Sequence, residues 1–471
     1  MCGSNYLSGW KYPTLIICVY GFFFNMRPIE PFITPYYIGP FHNLTAEQVT
    51  TFVFPVWTYS SLAILIPVFL LTDYLRYKPV IILQALAESI SLLLMMTVHG
   101  VPAFQVLTFF YSVSTSCEVA YFTYIYSVVD TEHYQRVTSY CRAVQLAGLT
   151  IGALCGQLLV SLAGVSYHTL NILSLTSSLV GLVCSFFLPM PSRSMFIHKK
   201  IVDETIQESS EGAETPQLQE HKQKAVAVKS AIETHSESSC CKRCFGLLVN
   251  FGKELKECYT TKQIIYWSLW VASGTAGFLQ VMGYVQVLWE HVEPSGKISR
   301  YNGLVEATAT FLSAVLSFLV GYVKVNWEIF GELVLAIFSA IGAGSIFLMA
   351  YARNIWVCYA GFLLFKSSYM ILITIALYRL AVNLSLERYA MIFGLNNFVA
   401  LVFQTILTLI VVDPKGLELD IITQYIVYGS YFAVIAGIFL GRSIYILFVL
   451  YCKGSVLSQH SAVKSGYINM D

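Results

Sequence analysis

The sequence predicts an all-α integral membrane protein: twelve transmembrane helices arranged as two six-helix bundles. Three observations predict it. Of the 471 residues 56% are hydrophobic and 12% charged, with mean hydropathy +0.65; soluble domains run at about 45–50% apolar and 25% charged. Apolar runs of the length that spans a bilayer as a helix recur along the chain. One long polar stretch, residues 190–262, parts those runs into two sets.

In the first set the expected spans are 13–38, 51–72, 77–98, 102–129, 135–163 and 167–189. Span one carries "NMRPIEPFITPYY". Pro28, Pro31 and Pro35 each lack an amide hydrogen and free a carbonyl one turn earlier. Such backbone is tolerated in a membrane only where protein buries it or it lines a watery cavity, as in the broken helices of transporters. Arg27 and Glu30, three apart, either neutralise each other or leave Glu30 facing a substrate. Span two places Phe54, Trp57 and Ser61 on one face, and span three Gln84, Glu88 and Ser91. In span four Thr108, Tyr111, Thr115 and Glu118 recur at helical spacing, a polar stripe directed at the bundle interior. Span five holds Arg142.

The second set comprises 263–290, 301–323, 328–351, 354–381, 388–412 and 422–450. Span eight holds Glu306 and span ten Lys366. An ionisable group at the bilayer centre costs at least about 2.5–3.5 kcal/mol, so it faces a cavity or a partner. Aromatic stripes are more often packing than ligand cages. Here they accompany buried acids, and aromatic faces with carboxylates suit an organic cation.

The chain therefore divides into an N-terminal bundle (1–189), a disordered cytosolic loop (190–262) rich in Glu, Gln, Ser and Lys, a C-terminal bundle (263–451) and a cytosolic tail (452–471). With the N-terminus inside, inner segments hold Lys11, Arg76, Lys78, Arg136, the loop's basic residues, Lys324, Arg379, Arg388, Lys453 and Lys464. Outer segments hold Lys297, Arg300, Arg353 and Lys415, which fits the positive-inside rule. The sequon at Asn43 then faces out and is a glycosylation site, while that at Asn383 faces in. Lys11 alone precedes the first apolar run and nothing resembles a cleavage site, so this run reads as a signal anchor.

Asp73, Arg76 and Lys78 in "LTDYLRYKP", at the inner end of span two, read as gate residues, and Lys324 occupies the corresponding place after span eight, which supports a repeated half. Among the twelve cysteines, "CCKRC" at Cys240, Cys241 and Cys244 is a weak zinc signal; plain thiols or palmitoylation fit it better. No metal, cofactor or enzymatic motif is expected. A net charge of +1 gives no basic surface for nucleic acid.

The segments "MRPIEPFITPYY", "FPVWTYS", "LTDYLRYKPVIILQ", "FFYSVSTSCEVAYFTYIYSVV", "HYQRVTSYCR", "GYVKVNWE", "LFKSSYMILITIA" and "ERYAMIFGLN" resemble the reduced folate and thiamine carrier family, most of all its thiamine-carrying members. The resemblance implies a major facilitator fold and vitamin import across the plasma membrane by alternating access. Folate-carrying members move a dianion and have basic residues at the positions of Glu118, Lys366 and Gln404; here these are an acid, a lysine and a glutamine. Thiamine is a cation, which Phe54, Trp57 and Tyr111 can stack against while Glu30 and Glu118 balance its charge. Thr108 stands where thiamine-carrying members have glutamate, and Leu279 and Gly283 where they have asparagines. Glu88 either takes over the missing counter-charge or faces a polar partner such as Gln84. The expected substrate-binding set is Glu30, Phe54, Trp57, Glu88, Ser91, Thr108, Tyr111, Glu118 and, within "ERYAMIFGLN", Tyr389. Alternatives are a same-fold carrier of another organic cation or a pyridoxine-like vitamin, a folate carrier, and a non-transporting membrane receptor.

Overall fold

Helices follow the apolar runs, and proline sets where several of them begin. The computed structural model describes residues 10–129, 133–191, 259, 262–294, 301–320, 327–382 and 386–468. The first half contains α1 (Lys11–Asn25), α2 (Ile33–Ile38), α3 (Phe54–Tyr74), α4 (Lys78–Thr97), α5 (Val101–Ser116), α6 (Glu118–Val128), α7 (Tyr134–Ala163) and α8 (Tyr167–Phe186). The second contains α9 (Lys262–Val292), α10 (Asn302–Val320), α11 (Trp327–Tyr351), α12 (Ile355–Val382), α13 (Leu386–Val411) and α14 (Ile421–Ile468). Pro79 and Pro102 sit in the first turns of α4 and α5, where a missing N–H costs no ladder bond. Ser166 caps α8 by accepting from the Thr169 amide.

Among the described residues ten helices are long and apolar enough to cross a membrane. The other two expected spans are interrupted. Span 13–38 is α1 and α2 joined by an irregular stretch and a 3₁₀ turn at Glu30–Phe32, and span 102–129 is α5 and α6 separated at Cys117. The last span continues past its expected end, since α14 runs to Ile468 through most of the expected tail. Nearly all of the 190–262 loop, the "CCKRC" cluster, Lys324 and Asn383 lie outside the described residues.

Each half has its own core. Tyr20, Val80, Ile81, Tyr121 and Tyr124 are buried together in the first, and Leu288, Phe362, Phe365, Tyr425 and Tyr428 in the second. Large apolar side chains such as Leu162, Phe311, Phe318 and Val434 point outward, the pattern of a protein whose solvent is acyl chain. Small polar residues fill the helix–helix contacts, as in the Ser89–Ser178 and Ser61–Ser112 hydrogen bonds at 2.9 and 3.1 Å. The halves meet where α7 packs on α10 and α3 on α13.

A glycine stripe on α7 positions the broken span. A Cβ at Gly148, Gly152 or Gly156 would come within 2.6 Å of the Phe22 carbonyl oxygen, 2.8 Å of the Arg27 nitrogen or 2.4 Å of the Pro28 carbonyl oxygen. Only glycine lets this backbone lie directly against α7. The stripe brings Arg27 and Glu30 to the space between the halves.

Candidate functional site: a charged cavity between the halves

A cavity of about 280 Å³ lies between the halves. Glu30, Phe54, Trp57, Glu88, Ser91, Thr108 and Tyr111 line it from the first half. Leu279, Met282, Gly283, Tyr284, Gln286 and Trp289 of α9, Glu306 of α10 and Gln404 of α13 form the opposite wall.

Arg27 organises the first wall. Its Nη1 donates to Glu88 Oε1 at 2.9 Å and stands 3.4 Å from Glu30 Oε2. The Tyr111 hydroxyl donates to Glu30 Oε1 at 3.2 Å, and the guanidinium lies 5.7 Å from the Tyr111 ring centroid. Arg27 and Glu30 are therefore paired, and Arg27 is shared with a second acid. The Glu88 side chain is 1% exposed and the Glu30 side chain 32% exposed. Gln84 is not the partner of Glu88; it accepts from Tyr20 at 2.9 Å.

On the second wall Lys366 donates to Glu306 and, at 3.1 Å, to Thr310. Two formal positive charges thus meet three negative ones, Glu30, Glu88 and Glu306, leaving one carboxylate charge in excess. Trp57 is held by its Nε1, which donates to Thr115 at 3.1 Å. The Phe54 ring meets that of Tyr284 from the other half in a T-shaped contact at 5.9 Å. Four buried polar atoms of cavity-lining residues have no hydrogen-bond partner within the protein: Glu88 Oε2, the Tyr284 hydroxyl, Trp289 Nε1 and Gln404 Oε1.

Glu118 does not join this set. It is exposed, accepts from Gln145 Nε2 at 3.3 Å and is not part of the cavity wall. The stripe read from span four assumed one continuous helix. The helix is interrupted at Cys117, and Thr108 and Tyr111 before the break line the cavity while Glu118 after it does not. The Tyr389 side chain lies outside the described residues, as does that of Asp73. Arg76 sits in a tight turn with φ 58°, and Lys78 donates to the Phe186 carbonyl at 2.8 Å, closing off the end of α8 within its own half. Sequence reasoning missed Tyr284, Gln286 and Trp289. Their only signal was the run of polar and aromatic residues through "VMGYVQVLW".

Two bundles meeting at a charged central cavity define a membrane transporter rather than an enzyme. The Reduced folate carrier family matches residues 8–427, and the chain belongs to that family. It is 54% identical over 454 residues to thiamine transporter 2 of Macaca fascicularis, covering 94% of this chain and 91% of the relative. Identity to thiamine transporter 2 of Homo sapiens is also 54%, over 457 residues, with the same coverage. Among solved structures, a point mutant of the nucleoside transporter NupG superposes with TM-score 0.60 at 11% identity, covering 92% of this chain and 99% of that one. That likeness concerns the fold alone.

Proposed function

We propose that this protein imports thiamine, or a closely related organic cation, across the plasma membrane by alternating access around the central cavity. The observation that carries the reading is the single excess carboxylate charge, set beside the aromatic faces of Trp57, Phe54 and Tyr111. A monovalent flat cation neutralises that excess and stacks on those rings. Thiamine is the cation named for the relatives at 54% identity. A folate dianion would meet Glu30 and Glu88 on one wall and a lysine already neutralised by Glu306 on the other. A non-transporting receptor would need neither the ion pairs nor the paired halves. The N- and C-termini face the cytosol, Asn43 carries a glycan outside, and the lipid bilayer covers the apolar outer surface.

A second reading is favoured by the opposite wall. Leu279 and Gly283 offer no polar side chain, while Tyr284, Trp289 and Gln404 offer unpaired ones. That set suits an uncharged polar vitamin such as a pyridoxine-like compound. Uptake of labelled thiamine into cells expressing the chain, with excess thiamine, folate, pyridoxine and choline as competitors, separates the readings. Saturable uptake blocked by thiamine and not by folate is expected. Pyridoxine uptake with no thiamine uptake would transfer the assignment to the second reading.

A further inference from the structure

The broken first span leaves backbone groups that its own helix cannot satisfy. Some find partners within the first half: the Ile29 amide donates to Ser174 Oγ at 3.2 Å, and Ser177 Oγ donates to the Phe23 carbonyl at 2.7 Å. Others are served from the second half. The Gln286 side-chain amide spans the turn, its Oε1 accepting from the Thr34 amide at 3.1 Å and its Nε2 donating to the Glu30 carbonyl at 2.9 Å. Asn302 Nδ2 reaches the Pro31 carbonyl at 3.4 Å, and Tyr359 holds Asn302 in place by donating to its Oδ1 at 2.6 Å. One side chain of α9 thus inserts between the Glu30 carbonyl and the Thr34 amide, the pair an unbroken helix would join directly.

Those contacts fall on one side of the molecule. The other inter-half hydrogen bonds among the described residues, Tyr59 to Asp413 and the Leu304 amide to Gln157, lie toward the same face, opposite the N-terminus. The halves are closed there. A backbone donor or acceptor without a partner is costly away from water. When this face is shut, water has little access to the Glu30 carbonyl or the Thr34 amide, and Gln286 serves both. When it opens, water can take over from Gln286.

We propose that Gln286 is the positioning residue that closes the face opposite the N-terminus, by completing the hydrogen bonds of the broken span from the other half. Pro35 is then part of the gate: it frees the Pro31 carbonyl, which Asn302 meets from the other half in the closed arrangement. Glu30 presents its carboxylate to the cavity while its carbonyl is held in this latch, so one residue belongs to both substrate wall and gate.

The test reads which face admits a reagent and needs no substrate, so it stands apart from the identity of the carried cation. A reporter cysteine replaces Thr58, which lines the cavity. A charged, membrane-impermeant thiol reagent is applied from each side, in right-side-out and inverted vesicles, with the chain lacking Thr58→Cys as background. Loss of two hydrogen bonds that favour closure should raise the labelling rate from the face opposite the N-terminus by about 5- to 30-fold in Gln286→Ala, without a matching rise from the other face. Asn302→Ala, which removes one bond, should give a smaller rise on the same face. It also serves as the second variant if Gln286→Ala is poorly inserted. Unchanged labelling in the inserted variants, or an equal rise from both faces as in general loosening, would overturn the proposal.

Discussion

Glu88 is the residue on which the charge of the cavity turns. It is buried against Arg27, and without it Arg27 is left to Glu30 alone. Removing one partner of a buried charge pair costs about 2–5 kcal/mol. Glu88→Gln should therefore weaken thiamine uptake affinity by roughly 30-fold or more, and Thr108→Glu on the same wall should restore much of it. A silent Glu88→Gln, or no rescue, would separate Glu88 from the site; a double-mutant cycle on uptake affinity measures this. Glu118→Gln should change affinity by no more than about twofold, as expected of an exposed substitution. The sequence revealed Glu88 as a buried acid but not its partner, because that contact joins residues 61 positions apart across a broken helix. Glu118 was misread for a related reason: the stripe was extrapolated across Cys117, where the helix is interrupted.

At the scale of elements, the broken span depends on the α7 surface beneath it. Gly152→Leu puts a side chain where even a Cβ would stand 2.8 Å from the Arg27 nitrogen. Overpacking of this kind costs about 1–3 kcal/mol, so the melting temperature should drop by at least a few degrees and uptake should fall. Gly344→Ala, where nothing lies within 4 Å of the added Cβ, should leave the melting temperature unchanged or slightly raised. Melting of both detergent-solubilised variants checks the pair.

The loop after α2 carries a pH dependence. His42, packed among the rings of Tyr36, His99 and Phe104, is pushed down from 6.5 to about 4, chiefly by burial and then by His99. Between those values the unfolded chain binds the proton and the folded chain does not. His42 therefore favours the folded state fully above about pH 6.5, and stability falls as pH drops toward 4. His42→Phe should flatten the melting-temperature profile in that window, and an unchanged slope would locate the dependence elsewhere. The spans themselves were legible because a lipid solvent dictates continuous apolar runs. The place where proline breaks one was legible too. The groups that repair the break, Gln286 and Asn302, were not, since nothing in their local sequence encodes a partner in the other half.

The whole molecule is two bundles closed on the face opposite the N-terminus around a cavity with one unbalanced carboxylate. Its orientation is tested by glycosylation. Asn43 is exposed in a loop on that closed face, so Asn43→Gln should abolish the glycan mobility shift and Asn383→Gln should not; the reverse result would invert the topology. The central claim concerns charge, and equilibrium binding to the purified protein tests it most directly, with thiamine compared against an isostere whose thiazolium is replaced by an uncharged ring. Binding of thiamine at least about tenfold more tightly is the predicted result, a discrimination below the roughly 30-fold that loss of a buried charge partner brings. Equal affinity for the charged and neutral forms, or tighter binding of a folate dianion, would contradict the account.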